Sequence, residues 1–368
     1  MQQARVTIAY VPREVFSQTR ESLEAVLSNT EQPFELVCVD GNSPPALRTW
    51  LEGMAMDHEF TLLRSDRYLT PNQARNIALQ HVNTPYVAFV DNDVIPSKGW
   101  LKALLDCADE TGAWAVAPLY FEHRPLETKI HMAGGLCRFH TDKNGDRWYE
   151  EKHHLQHRPL AGSEDKLHRQ ETELIEFHTV LVSMTAFEQL GPLDEDLLNH
   201  SEHADLSLSI REAGGTVYLE PAARITYVPP RSLSDEDREF FELRWSEAWS
   251  RSSMDHFIRK WELAPGHRSL RIGRWWLRHH RRYGSRVLAR VRKVFGPRFT
   301  HYAQQIGFAQ LEALWNRRKY PPSRFGKVSR PGTVHRSMQS VGPHLRVIQW
   351  LSSGRYRSGC APERLTYL

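Results

Sequence analysis

Short apolar runs alternate with stretches in which apolar residues recur every three or four positions, and this continues through the first 230 residues. Val6 to Tyr10 reads as a buried strand, Phe16 to Leu27 as a helix, and Phe34 to Asp40 (FELVCVD) as a second strand. Thr70-Pro71-Asn72-Gln73 carries three helix-start signals: a Thr N-cap, Pro at the first helical position and Gln where a capping box wants it. Ala74, Ile77 and Ala78 then supply a core face, with Arg75 and Asn76 pointing elsewhere. Tyr86 to Val90 is the next strand, Trp100 to Asp109 a helix, and Ala113 to Phe121 a strand again. The pattern predicts an α/β fold, a mostly parallel sheet with helices on both faces.

From about Phe121 to Ile175 the periodicity dissolves into a segment rich in His, Gly and charge, read as long loops and hairpins. Phe177 to Ser183 returns to strand character, Ser201 to Ala213 is a helix stopped by Gly214-Gly215, and TVYLEP is a final strand. No internal repeat is evident.

At 368 residues the chain is long enough for one large core with an appendage, or for two domains. Hydrophobic content of 40% and charged content of 25% are ordinary for a globular protein. The net charge of +4 conceals an asymmetry: residues 264–368 hold 22 Lys/Arg against 2 Asp/Glu, leaving −16 on the remainder. Cys38, Cys107, Cys137 and Cys360 are too widely spaced for a zinc knuckle or a disulfide scaffold. The N-terminus has no long apolar signal region, and no run approaches the roughly 18 apolar residues of a membrane span. A cytoplasmic protein is expected.

In VAFVDNDVIP, residues 87–96, an apolar strand runs directly into Asp91-Asn92-Asp93. In parallel sheets ligands sit at the carboxyl ends of strands, where Asp40 and the Asp91/Asp93 pair both fall. Two carboxylates two positions apart can line one mouth and suit Mg²⁺ or Mn²⁺ together with substrate phosphates. Most Asp-x-Asp triplets are solvated turns, and the preceding strand is what sets this one apart. A second acidic cluster, Ser201-Glu202-His203-Ala204-Asp205, opens a helix whose core stripe is Leu206, Ile210 and Ala213. Its carboxylates either complement the helix dipole or provide a general base for a hydroxyl.

VTIAYVPRE, FELVCVDGNS, NQARNIAL, VAFVDNDVIPSKGWL, LVSMTAFEQLGPLDE and SEHADLSLSIREAGG, in that order over roughly residues 5–230, resemble the successive blocks of family 2 glycosyltransferases with the GT-A fold. The resemblance implies inverting, metal-dependent transfer of a sugar from a nucleoside diphosphate (UDP, GDP or dTDP) to an acceptor hydroxyl on a glycan or a lipid-linked acceptor, in polysaccharide or glycolipid synthesis. It implies that Asp40 hydrogen-bonds the nucleotide base, with the main chain around Tyr10 lining the same pocket. Arg75 would face the diphosphate, Asp91 would lie near ribose and metal, and Asp93 would ligate Mn²⁺ or Mg²⁺.

Many relatives have Glu-Asp-x-Asp where this chain has Glu202-His203-Ala204-Asp205, so the usual base position is His203. Asp205 and His203 rank close together as candidate bases, with Glu202 third. His131, before a Gly-Gly turn, and His178, opening a strand, are acceptor-side candidates for contact with substrate or metal. Tyr227 to Pro230 reads as an exit from the sheet.

The expected division is a GT-A catalytic domain over 1–230 (a nucleotide-sugar half, 1–121, and an acceptor half, 122–230), a helical continuation over 231–263, a basic amphipathic extension over 264–328, and a partly disordered tail over 329–368. Within 268–295, Val287, Leu288, Val291, Val294 and Phe295 recur at helical spacing among arginines, with Trp275 and Trp276 at one end. Such a helix suits an anionic membrane surface, which would make the protein peripheral. Packing against the catalytic domain or a second subunit competes, and nucleic acid is not expected, for want of a known module. Two alternatives to the enzyme stand: an inactive GT-A binding protein working through its basic tail, and a sugar nucleotidyltransferase. The latter usually needs a Gly-rich basic loop after the first strand, which Tyr10-Val11-Pro12 does not offer.

Overall fold

The computed structural model describes residues 3–229, 233–283, 309–321 and 345–348, with short pieces between 290 and 299. Strands β1 (Val6–Val11), β2 (Glu35–Gly41), β3 (Thr61–Ser65) and β4 (Tyr86–Asp91) alternate with helices α1 (Thr19–Asn29), α2 (Pro45–Asp57) and α3 (Pro71–Leu79). There follow β5 (Val94–Pro96), α4 (Trp100–Thr111), β6 (Ala115–Glu122), β7 (Ile130–Met132), the hairpin of β8 (Gly135–Thr141) and β9 (Arg147–His153), β10 (Gln170–Thr172), β11 (Thr179–Ser183), α5 (Met184–Leu190), α6 (Glu202–Glu212) and β12 (Val217–Tyr227). Beyond them come α7 (Asp235–Arg244), α8 (Glu247–Lys260), α9 (Arg268–Tyr283), α10 (Ala309–Lys319) and an edge strand, β13 (Leu345–Ile348).

The main sheet has the order β10-β12-β6-β11-β4-β1-β2-β3-β13. Strands β3, β2, β1, β4, β6 and β12 run one way, while β11 runs against both of its neighbours, β4 and β6. The expected mostly parallel sheet is therefore present, with one reversed strand inside it. Alternate residues of β1, β2 and β4 enter two separate cores: Ala9, Val37 and Phe89 meet Ala74 and Ala78 of α3, while Ile8, Cys38 and Val90 meet Leu23, Leu51 and Trp100 of α1, α2 and α4. Burial on both faces is why these strands read as continuous apolar runs. The α3 capping box forms as read, with Gln73 N donating to Thr70 Oγ1 and the Gln73 side chain accepting from Thr70 N.

The chain leaves β1 for β2 and β3 on one side and returns to β4 on the other, so strand order reverses between β1 and β4. A crevice is expected at the carboxyl ends of such a pair. Val11 and Asp91 are register partners there.

Helices α7 and α8 are bound to this end of the sheet. Asp237 accepts from Phe16 N at 2.7 Å and Ser17 N at 2.9 Å, and Phe240 stacks on Phe16 and Tyr68. Helix α9 buries Leu270 and Leu277 and leaves Ile272, Trp275 and Trp276 exposed. Val287 and Leu288 lie outside the described residues, as does the 329–368 stretch apart from β13, which pairs antiparallel with β3. Among the described residues no helix is long and apolar enough to cross a membrane.

Candidate active site

Strand β4 delivers Asp91 and Asp93, both 1% exposed, into the crevice. Asn92 between them points to the opposite side and fixes the loop after β1: its Oδ1 accepts from Arg13 N at 2.9 Å, and its Nδ2 donates to Val15 O at 2.6 Å and Thr19 Oγ1 at 2.9 Å. The loop so held brings the Arg13 guanidinium within 3.4 Å of Asp91 and 3.5 Å of Asp93. These are long contacts, and Asp93 Oδ1 is left buried without a hydrogen bond. Burial, helped by the charges of Asp91 and Glu14 and opposed by Arg13, pushes the Asp93 carboxyl up to about 8.

His178, expected on the acceptor side, stands with this pair. Its Nδ1 is buried and unpartnered, and one ligand atom from each of Asp91, Asp93 and His178 falls within 4.8 Å of the others. Burial, reinforced by Arg13 and His131, holds the imidazole well below its ordinary pKa, so it is a neutral nitrogen donor. Two carboxylates and a neutral imidazole with orphaned lone pairs fit a divalent cation.

Arg75 is 2% exposed and committed within the protein: Nη2 donates to Asp91 at 3.0 Å, Nη1 to Asn72 Oδ1 at 3.2 Å, and the guanidinium lies 3.7 Å over the Phe177 ring. Asp40, at the end of β2, accepts from Ser43 N and Ser43 Oγ, both at 2.9 Å, and pairs with Arg64. The Tyr10 side chain is buried, donating to Thr19 O at 3.1 Å, which leaves only its main chain to line a pocket.

The Ser201–Asp205 cluster divides three ways. Ser201 adopts φ of 67°, a left-handed conformation rare outside Gly, and turns the chain into α6 with Glu202 as its first residue. Glu202 is buried, its Oε1 has no hydrogen-bond partner, and the nearest cation is Arg244 at 3.9 Å. His203 lies 3.3 Å from Glu151 and 3.9 Å from Glu176. Burial disfavours its charge, but Glu176 and Glu151 outweigh that and raise it to about 10. Asp205 uses both oxygens, accepting from Lys260 Nζ at 2.8 Å and Trp261 Nε1 at 2.9 Å.

Residues 13–169 match the model of the Glycosyl transferase family 2. Over that stretch, under half of its length, the chain is similar to glycosyltransferase family 2 domains. Among curated proteins it is 30% identical over 124 residues to the succinoglycan biosynthesis protein ExoM of Rhizobium meliloti (strain 1021), covering 33% of this chain and 40% of that one. It is 26% identical over 201 residues to the pre-mycofactocin glycosyltransferase of Mycobacterium tuberculosis (strain CDC 1551 / Oshkosh), covering 54% and 38%. The chain thus spans about two fifths of the length of these relatives. Solved structures similar to it include GalNAc-T7 with UDP, GalNAc and Mn²⁺ (TM-score 0.49, 16% identity, 77% of this chain and 55% of that one). The mannosyltransferase PcManGT from Pyrobaculum calidifontis with GDP-Man and Mn²⁺ is another (TM-score 0.46, 15% identity, 86% and 85%).

The site recruits residues that carry no local signal in the sequence. Tyr227, read as part of a sheet exit, is a wall of the site: its ring lies 4.3 Å from His178 and 4.7 Å from Arg13. Glu14 is 2% exposed and accepts from Tyr227 Oη at 3.1 Å and Trp245 Nε1 at 3.0 Å. Burial opposes its charge, yet Arg13 and His280 hold Glu14 below the ordinary carboxylate range. Trp245 follows α7 and His280 lies on α9, so the helical continuation and the first part of the basic extension both reach this site.

Proposed function

We propose that the chain is an inverting glycosyltransferase that moves a sugar from a nucleoside-diphosphate donor to an acceptor hydroxyl. The observation that carries this reading is the pair of buried, unpartnered ligand atoms, Asp93 Oδ1 and His178 Nδ1, grouped with Asp91 at the end of β4. Asp91, Asp93 and His178 would hold the divalent cation, and the imidazole favours Mn²⁺ over an all-oxygen Mg²⁺ site. Bound there, the cation would offset the charge of the departing diphosphate.

The remaining roles belong to side chains. Asp40, held by Ser43 and Arg64, would accept an N–H of the nucleotide base. Arg75 acts by orienting Asp91, because its two terminal nitrogens are already engaged by Asp91 and Asn72 inside the protein. Arg13, whose contacts are long, is the cation free to turn towards a diphosphate. Glu202 takes the acceptor proton: Asp205 has both oxygens engaged, and His203 already holds its proton. The acceptor oxygen then forms its bond to the anomeric carbon on the face opposite the breaking bond to the diphosphate, so configuration inverts in one displacement.

The test is calorimetric binding of UDP-, GDP- and dTDP-sugars, with and without Mn²⁺, to wild type and Asp93→Ala. A response to one nucleotide that needs metal and disappears in the variant supports the reading. No response to any donor from a folded protein overturns it and leaves a binding protein that works through its basic extension.

The acceptor is proposed to be lipid-linked, because α9 exposes Ile272, Trp275 and Trp276 beside Arg268, Arg271 and Arg274. Apolar and aromatic residues flanked by arginine suit an anionic bilayer surface. Flotation with vesicles containing phosphatidylglycerol, but not with pure phosphatidylcholine vesicles, is the expected result, and Trp275→Ser/Trp276→Ser should abolish it. Equal recovery with both vesicles, or none with either, argues against the membrane role.

A further inference from the structure

Next to the donor pocket lies a second group of metal-type ligands that the reaction above does not use. His131 on β7, His153 at the end of β9 and Glu176 just before β11 can each offer one ligand atom, and these atoms lie within 4.8 Å of one another. All three side chains are mostly buried, at 16%, 12% and 13% exposed. His153 Nε2 is 3.5 Å from both Glu151 and Glu176, and its Nδ1 meets the Gln156 amide at 3.4 Å.

Two features point beyond an internal ion-pair network. The first is charge: among the described residues, the ion pairs of Glu151 and Glu176 are with His153 and His203 alone, with no Lys or Arg, so the protonated His203 is one positive charge shared between two carboxylates. Buried carboxylates are ordinarily matched by a fixed cation or a metal. The second is the outer layer. His131 Nδ1 is 3.3 Å from Glu122 Oε2, and a carboxylate can only accept, so Nδ1 is the donor and the lone pair sits on Nε2. Glu122 is itself held by Lys129 at 2.5 Å and His157 at 2.8 Å. A carboxylate on the far nitrogen is how proteins orient metal-binding imidazoles.

We propose that His131, His153 and Glu176 bind a second divalent cation, of the zinc type, separate from the one assigned to Asp91, Asp93 and His178. Two imidazoles, one carboxylate and an open fourth position make a zinc site that takes an oxygen ligand from water or substrate. The His131 and His178 rings meet edge to face at 5.3 Å, so the two sites are neighbours. An oxygen of the acceptor is the ligand class that fits the open position.

The full chain, stripped with chelator, is titrated with Zn²⁺ and Co²⁺, with bound metal counted by mass spectrometry after gel filtration and Co²⁺ ligation read in the visible spectrum. Wild type is expected to hold two equivalents, Asp93→Ala to keep the one with the absorption of a two-imidazole Co²⁺ site, and His131→Ala/His153→Ala to lose that one and keep the other. Glu176→Gln, nearly isosteric, guards against misfolding of the double variant and should weaken Zn²⁺ binding about tenfold or more. Unchanged zinc affinity in Glu176→Gln overturns the proposal. So does a single equivalent in wild type that both Asp93→Ala and the histidine variant remove, because that would be one shared ion.

Discussion

Asp205→Ala separates a structural carboxylate from a catalytic base. Asp205 ties the first turn of α6 to the end of α8 through Lys260 at 2.8 Å and Trp261 at 2.9 Å. The indole bond is worth about 1 kcal/mol and the charge-assisted bond about 1.5–3 kcal/mol. Lys260 is 31% exposed and keeps Asp194 at 2.9 Å as a second partner, which places its share at the low end. The variant should therefore lose about 2–3 kcal/mol, or about 4–12 °C in melting temperature for a domain of this size. Urea unfolding followed by tryptophan fluorescence gives the stability, and product formation well below the melting temperature gives the turnover. Turnover per folded molecule should fall by far less than the roughly 10²–10⁴-fold that loss of a general base costs, and Glu202→Gln should show that larger loss with little change in stability. An Asp205→Ala protein of unchanged stability whose turnover drops by the full factor would refute the assignment of Glu202.

Asn92→Ala removes bonds to Arg13 N, Val15 O and Thr19 Oγ1, so about 2–4 kcal/mol of stability should go and donor affinity should fall with the loosened loop, as urea unfolding and calorimetry would report. Gly135→Ala would put a Cβ 2.4 Å from Lys152 O across the β8–β9 hairpin, where neither strand can give way; a loss of about 3 kcal/mol in a thermal scan is expected. His256 is raised above its ordinary value by its hydrogen bond to Asp194, so its stabilisation is whole below the unfolded value of about 6.5 and fades as pH rises through the folded one. Asp194, held below the carboxylate range by His256 and Lys260 against the cost of burial, loses its share only in acid, as pH falls through its lowered value. Urea midpoints from about pH 5 to about pH 9 should decline on the alkaline side, and His256→Gln should flatten that limb; an unaltered limb counts against the pair.

The parts of this domain legible in the sequence are those whose signals are local. Strand β4 announces itself because both its faces are buried, and Thr70 and Gln73 mark the start of α3 because a capping box spans four consecutive residues. Helix α2 and strand β3 leave little trace in the sequence: α2 buries only Leu47, Leu51 and Ala55 and leaves Met56 51% exposed, which blurs its apolar stripe. The β8–β9 hairpin is half wet along both strands, so the segment that carries Glu151 and His153 showed no period. Tyr227 carries no local signal, because an 11-residue strand with an irregularity between Glu220 and Arg224 delivers it, and nothing nearby in sequence says where it ends up.

His203 shows the same limit at the level of one residue. The departure from Glu-Asp-x-Asp is visible in the sequence, but what it answers to is 52 positions away in Glu151, together with Glu176 in the loop before β11. An Asp at 203 would face those two carboxylates with no Lys or Arg paired to either among the described residues, a third like charge in a mostly buried pocket. Histidine there accepts a proton and meets both. The change that looks like a lost base is thus compensated by Glu151 and Glu176. In the proposed reaction it moves the task of taking the acceptor proton to Glu202, whose free oxygen stands at the start of the same helix.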